Sequence, residues 1–336
     1  MNAAEQKTEC VIIGGGLSGL TAATLLKKNE IPVTVLDKGR GIGGRLATRR
    51  LEDSDIGTGV FDFGAQYFTA KTSLFQESIE TWYQQSIVKA WSHGFPAADE
   101  HLRENGVPRY IGVDSMRGIA KHLAHPLDVR TSTRVTAIKW LAGEWHIMTE
   151  GGAKFESQVL GLTAPVPQSL ELLKGSLLPL PSAVAERLEK VRYQPCIVML
   201  ALLKQPSQIP EPGGMWLSGE PIVWMSDNWK KGISPNGYAV TLLTGPEFSH
   251  QYWDEPDEVI VAKLDNASKR WLGGDVVRYH IHRWRYSQVT QGFGEPYLYF
   301  EKPGPFFLFG DAFGENQVEG AFLSGYSAAN QILTLF

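Results

Sequence analysis

The apolar positions of the chain fall into short unbroken runs near its start and into helical spacing just after them. Cys10-Val11-Ile12-Ile13 is an uninterrupted apolar run that ends in glycines, the pattern of a strand buried on both faces of a parallel sheet. Leu17, Leu20, Ala23, Leu25 and Leu26 then predict a helix, with charge returning only at Lys27 and Lys28. Residues 31–36 read as a second strand that ends at Asp37, which completes a right-handed βαβ unit. Residues 75–91, with Trp82 and Tyr83 inside, predict a helix, and so do residues 116–124. Strands are predicted over 129–138, 144–149 and 159–163, the last closed by Ala164-Pro165.

The middle of the chain has a different texture. Proline-rich stretches at 177–181 and 205–212 bracket a predicted helix (182–190) and strand (196–203), followed by strand-like runs at 222–226, 238–243 and 276–284. Residues 306–309 form a last apolar strand broken by Gly310-Asp311, and 321–335 predict a closing helix. The expected organisation is a discontinuous nucleotide-binding domain (1–75, 112–175 and 290–336) with a β-rich domain (76–111 and 176–289) inserted into it. The fold class is α/β, α+β overall.

Composition narrows the class without changing this picture. A chain of 336 residues with 43% hydrophobic and 20% charged residues is a folded globular protein of about two domains. Its formal net charge of -4 sets up no field that attracts nucleic acid. The longest uncharged stretch, 10–26, carries Gly14, Gly15, Gly16 and Gly19 and falls short of the roughly 20 apolar residues of a membrane span, so no membrane or targeting segment is expected. Cys10 and Cys196 lie far apart and form no metal-ligand cluster, which suits a reducing cytoplasm and predicts no structural metal. His280 and His282 share one face of a predicted strand, but no carboxylate or cysteine is spaced with them as a further ligand.

Gly14-Gly15-Gly16-Leu17-Ser18-Gly19 has the G-x-G-x-x-G form, with a strand before it, a helix opening from it and an acidic residue, Asp37, ending the next strand. In that context Gly14 permits the tight turn, Gly16 lets backbone N–H groups approach a pyrophosphate, and Gly19 lets the helix pack closely. The helix N-terminus, from Leu17 and Ser18, adds partial positive charge for the phosphates. Asp37 is expected to accept from a ribose 2′-OH. The fingerprint alone leaves NAD and FAD open. Arg40-Gly41-Ile42-Gly43-Gly44-Arg45 then places two guanidinium groups beside the dinucleotide, where each can pair with phosphate oxygens.

That segment, together with Asp62-Phe63-Gly64-Ala65-Gln66-Tyr67-Phe68, resembles signature stretches of FAD-containing amine oxidases. Phe309-Gly310-Asp311-Ala312 and Val318-Glu319-Gly320-Ala321-Phe322 resemble the flavin-site segment of the same superfamily. The resemblance implies a Rossmann-like FAD-binding domain with an inserted β-rich substrate domain, of the flavin amine oxidase / p-hydroxybenzoate hydroxylase type. It implies Asp311, after Gly310, on the ribityl chain, the Gly320-Ala321 helix N-terminus at the flavin pyrimidine edge, and the backbone of Val135 at the adenine. Lys38, Gly44 and Gln66 join the cofactor set on the same basis. A helix N-terminus there suits reduced flavin, which carries negative charge at N1/C2=O.

Within the superfamily, Asp37-Lys38, Gly43-Gly44-Arg45, Gly64-Ala65-Gln66-Tyr67, Ser226-Asp227-Asn228 and above all Trp284-Arg285-Tyr286-Ser287-Gln288-Val289-Thr290 are similar to the renalase family. This implies oxidation of the 2- and 6-dihydro isomers of NAD(P)H, a small-molecule dinucleotide substrate, with O2 as electron acceptor and hydrogen peroxide as product. Such a reaction needs no general base, because a dihydropyridine becomes aromatic on losing hydride. The substrate-side candidates are Asn228, Arg285, Tyr286 and Gln288, with Tyr67 near the flavin. No cysteine follows Cys196, so the FAD is expected to be non-covalent. The rival readings are a soluble flavin-containing amine oxidase and a non-catalytic flavin-binding sensor.

Overall fold

A computed structural model describes residues 6–98, 101–219, 221–314 and 317–336. In chain order the elements begin β1 (Gln6–Ile13), α1 (Leu17–Lys28), β2 (Val33–Leu36), β3 (Thr48–Asp53), β4 (Gly57–Asp62), α2 (Ser73–Gln84), β5 (Val88–Pro96) and β6 (Leu102–Gly112). They continue with α3 (Met116–Ala124), β7 (Asp128–Arg130), β8 (Val135–Leu141), β9 (Glu144–Thr149), β10 (Lys154–Leu162), α4 (Val166–Gly175), α5 (Ser182–Leu188) and β11 (Arg192–Leu203). The last are β12 (Gly214–Trp216), β13 (Ile222–Asp227), β14 (Tyr238–Thr244), α6 (Pro246–Gln251), α7 (Asp257–Leu272), β15 (Val276–Gln291), β16 (Tyr297–Phe300), β17 (Phe306–Phe309) and α8 (Gln317–Leu333).

The chain divides into two compact units: Met1–Gly44, Ala120–Arg192 and Val289–Phe336 form the first, Arg45–Ile119 and Tyr193–Gln288 the second. In the first, β17, β10, β1, β2 and β7 pair in that order as parallel neighbours, with β16 antiparallel at one edge and β9 and β8 added beside the start of β10. Because β1 is central, the chain leaves it towards β2 on one side and later returns to β10 on the other. This is the topological switch point, and the loops after β1, β2, β10 and β17 all open at the same carboxyl edge. Cys10, Ile12, Val33, Val35, Val159, Phe307 and Phe309 of the strands are buried with Ala22, Ala23, Leu26, Ala328, Ala329 and Ile332 of α1 and α8. Those two helices approach closely: a Cβ at Gly325 would overlap the Ser18 carbonyl, and the Ser18 hydroxyl donates to the Ala321 carbonyl at 2.6 Å.

The second unit is β-rich. Its five-stranded sheet runs β12-β13-β14-β11-β15, accompanied by the hairpins β3-β4 and β5-β6. One core lies under α6 and α7, around Ile197, Met199, Met225, Leu242, Ile260 and Leu264. On a second cluster, Phe61 and Phe63 pack with Val198, Leu200 and Leu202.

The structure corrects several sequence expectations. The helix expected over 75–91 ends at Gln84, where Ser86 takes a left-handed φ of 58° and the Ile87 N–H turns back to the Trp82 carbonyl; the apolar residues from Val88 onward belong to β5. The strand expected over 129–138 is two strands, because the chain turns at Ser132 (φ 53°) to hydrogen-bond the loop after β2. The closing helix starts at Gln317 rather than 321, and α7 has no counterpart in the expectations. The compact units also divide at Gly44/Arg45 and at Arg192/Tyr193, so residues 45–75 and 112–119 group with the β-rich unit, and residues 176–192 and Val289 with the nucleotide-binding one. For the segment around β4 the reason is burial: Phe61 and Phe63 pack on Val198, Leu200 and Leu202 of β11.

Candidate functional site: a glycine cradle and a buried polar network

In the first unit the site grows out of β1. Gly14 has φ +122° and donates its N–H to the Leu36 carbonyl at 2.8 Å; a Cβ there would overlap the Thr163 hydroxyl at the end of β10. A Cβ at Gly19 would overlap the Gly14 carbonyl, so the first turn of α1 packs directly on the strand end. Gly16 is different. It is the N-cap of α1 with ordinary extended dihedrals (φ -79°, ψ 179°), no side chain caps the helix, and nothing lies within 4 Å of where its Cβ would be. Packing gives no reason for glycine at this position; space for a ligand beside it does. The first N–H groups of α1, with no side-chain cap and no acidic residue in the first turn, could hold an anion such as a pyrophosphate.

The loop after β2 folds over this turn. The Gly43 N–H donates to the Gly15 carbonyl at 2.8 Å, and Gly44 takes φ +53° with its Cβ position 3.4 Å from the Gly16 Cα. Asp37 is less free than the sequence suggested: its Oδ2 accepts the Gly15 N–H and its Oδ1 the Gly39 N–H, each at 2.6 Å. Burial pushes its carboxyl pKa up, against the opposing effect of those two backbone donors. Asp37 thus builds the cradle, and a ribose hydroxyl can reach only the lone pairs those bonds leave. Lys38 donates to Gln168 at 2.8 Å, and Arg40 is exposed. Val135 opens β8 two residues after Thr133, whose N–H donates to the Asp37 carbonyl, which brings the start of β8 beside the end of β2.

At β17, Gly310 has φ +144° and its N–H is held by the Ser324 hydroxyl at 2.8 Å, which turns the chain so that the half-buried Asp311 follows at the carboxyl edge. Gly320 and Ala321 lie three and four residues into α8 rather than at its start. Ser18 is buried and committed to Ala321, so its part in the site is to join α1 and α8. Thr163 was missed by the sequence reading; its hydroxyl donates to the Ile13 and Gly14 carbonyls, but a lone threonine after a strand carries no local signal.

The second unit holds the other candidates. Arg45 Nη1 donates to the carbonyls of Tyr286 (3.2 Å) and Ser287 (3.5 Å). Gln66 is buried, with Nε2 on the carbonyls of Asp62 and Gly64 and Oε1 accepting from Ser226 at 2.7 Å, so its side chain is a structural brace rather than a cofactor contact. Asn228 is fully buried; its Nδ2 donates to the Ala239 carbonyl and the Thr241 hydroxyl of β14, while its Oδ1 has no partner among the described residues. On β15, side chains alternate between faces. Tyr286 meets Tyr193 and Gln288 accepts from Gln194, whereas Arg285, on the opposite face, lies over the Trp253 ring. The expected quartet is therefore not brought together.

Tyr67 sits among Trp91, Phe95 and Trp224, with ring centroids 5.0 to 6.4 Å from its own. Burial raises its pKa, against the opposing charge of the nearby Arg109. Beneath it lies an ion pair that the sequence did not announce. Lys231 Nζ donates to Asp62 Oδ2 and to the Gln66 carbonyl, both at 2.8 Å, and both charged side chains are fully buried. Burial lowers the Lys231 pKa, and the Asp62 charge opposes that shift. Among the described residues no group of three or more His, Cys, Asp or Glu could hold a metal ion, and no helix is long and apolar enough to cross a membrane.

Residues 12–84 match an NAD(P)-binding Rossmann-like domain and residues 92–333 the flavin containing amine oxidoreductase family. Mouse (Mus musculus) renalase is 26% identical over 339 residues, covering 94% of this chain and 96% of its own. Flavin-containing amine oxidase A of Bos taurus is 48% identical over only 64 residues, 19% of this chain and 11% of its own. Among solved structures, a putrescine oxidase variant superposes with a TM-score of 0.73 at 13% identity, covering 99% of this chain and all of that one. Since the match over 92–333 takes in well over half of the sequence, the chain belongs to the flavin containing amine oxidoreductase family, whose cofactor, FAD, fits the glycine cradle of the first unit.

Proposed function

We propose that the chain is an FAD-dependent oxidase of isomeric dihydronicotinamide dinucleotides: 2- and/or 6-dihydro-NAD(P), O2 and a proton become NAD(P)+ and H2O2. The observation that carries this reading is how far each pairwise likeness to a curated relative extends. The likeness to renalase runs through 94% of the chain and so through the β-rich unit, whereas the likeness to amine oxidase A ends within 64 residues. Bound FAD would supply the hydride acceptor and the route for electrons to O2. The chain's own part is binding and electrostatics. The uncapped α1 N-terminus and Gly16 take the pyrophosphate, Asp37 shapes the turn, and Asp311 is assigned to the ribityl chain. In the second unit Tyr67 is the substrate-side residue carried forward. The Arg109 charge beside it suits a neutral dihydropyridine and repels an ammonium.

With no cysteine after Cys196, the FAD is held without a thioether. Both cysteines are free and buried, which supports a cytoplasmic setting. The test is anaerobic mixing of the flavin-loaded protein with 2- or 6-dihydro-NAD(P)H, ordinary NADH and a panel of amines. The isomers are expected to bleach the flavin far faster than the rest, because NADH carries its hydride on a different ring carbon. Rapid bleaching by amines with none by the isomers would replace this reading with an amine oxidase; no bleaching by any of them would leave a flavin-binding sensor.

A further inference from the structure

We propose that Lys231, through its buried pair with Asp62, is a positioning residue for Tyr67; the catalytic relevance of Tyr67 rests on the reading above, but the positioning does not. Both ends of one short segment are gripped by the same ammonium. Nζ binds the Asp62 carboxylate where the segment leaves β4, and the Gln66 carbonyl immediately before Tyr67, each at 2.8 Å. Between these points the segment has no slack. The Ala65 N–H donates to the Arg45 carbonyl at 2.8 Å, a Cβ at Gly64 would overlap that same oxygen, and Gln66 Nε2 ties the Asp62 and Gly64 carbonyls together. The remaining Asp62 oxygen accepts from Thr48 at 2.7 Å and from the Met116 N–H at 3.0 Å, which fixes the carboxylate itself. Lys231 Nζ also lies 5.0 Å from the centroid of the Trp91 ring, a ring that touches Tyr67.

Stability alone does not account for such a pair. Removing two charges from water is costly, and a buried ion pair is commonly replaced by apolar residues with no loss of stability. What a buried, fully bonded pair can supply is a single conformation of the backbone it grips. Here that backbone sets the Tyr67 ring among Trp91, Phe95 and Trp224. Lys231 is 164 residues from Tyr67 in sequence (231 minus 67) and contacts its peptide directly through the Gln66 carbonyl.

The experiment uses the flavin-loaded protein carrying 3-fluorotyrosine at position 67 or, as a control, at the exposed Tyr83. Two variants are compared with the wild type: K231M, which leaves the carboxylate unpaired, and D62N/K231M, which removes both charges and keeps the protein falsifiable if K231M does not fold. The fluorine signal at 67 is expected to shift or broaden in the double variant while that at 83 stays unchanged. With 2- or 6-dihydro-NAD(P)H as substrate, kcat is expected to fall about tenfold or more with KM little altered, as for a misplaced site group. An unchanged signal at 67 in the folded double variant would overturn the proposal, as would equal changes at 67 and 83, which mark general loosening. Normal turnover by Y67F, alongside a shifted signal in D62N/K231M, would refute the role of Tyr67 in the reaction and leave its positioning by Lys231 intact.

Discussion

Gly16 and Gly64 both sit in glycine-bearing segments that follow a strand, and they are glycines for opposite reasons. At Gly64 the missing side chain is required by the protein itself, since the Arg45 carbonyl occupies the space a Cβ would take. At Gly16 nothing of the protein fills that space, and the backbone dihedrals are open to any residue. One glycine closes a packed turn of the β-rich unit, and the other keeps a surface of the nucleotide-binding unit bare. A motif match cannot separate these cases, but the volume beside each Cβ can.

The strongest way to break this comparison is Gly64→Ala. Backbone must move to admit the methyl group, so we expect a loss of about 3 kcal/mol or more of stability, read as a lower midpoint in urea unfolding. A variant as stable as wild type would show that the Arg45–Gly64 contact yields easily. Gly16→Ala should do the reverse. Its thermal unfolding without flavin should match wild type, while FAD affinity weakens about tenfold, roughly 1.4 kcal/mol, as the methyl group takes up room meant for phosphate. Equal FAD affinity in titration calorimetry would mean that Gly16 does not border the cofactor.

The same contrast explains what could be read in advance. The cradle was legible because its parts are local: an apolar run, a glycine turn, a helix and an acidic residue follow one another within residues 10–37, and each constrains its neighbour. The structure keeps β1, α1 and β2 in those places and adds Thr163, which only sheet pairing brings to Gly14. The β-rich unit was read by resemblance, and there the side-chain partnerships were not legible. Asn228 and Gln66 sit in conspicuous motifs, but the motifs did not announce that both side chains are buried and hydrogen-bonded within the unit. Lys231 lies in an unremarkable Trp-Lys-Lys-Gly turn and becomes a buried cation only because Asp62, 169 residues earlier, is folded against it. Arg285 shares a strand with Tyr286, but the period of two puts it on the other face. Polar partnerships formed over such separations leave no trace in spacing.

A smaller effect sharpens the difference further, because it belongs to the packed unit alone. His282 lies edge-on against Phe63 and Trp284, with ring centroids at 4.9 and 4.3 Å, and shares its face of β15 with His280. Burial, then the Arg49 charge, then His280 lower its pKa from 6.5 to about 4. A base whose pKa is depressed by folding is neutral in the native state while the unfolded chain takes up a proton. Its contribution to stability is therefore present above pH 6.5 and is lost progressively as pH falls towards 4. Wild-type protein should lose melting temperature over that interval, and His282→Phe, which keeps an aromatic ring beside Phe63 but cannot titrate, should show a shallower decline. The nucleotide-binding unit offers an internal control, since His282→Phe should leave FAD affinity at pH 7.5 unchanged. Parallel melting curves for the two proteins between pH 6.5 and 4 would show that His282 takes up its proton in the folded state as readily as in the unfolded one.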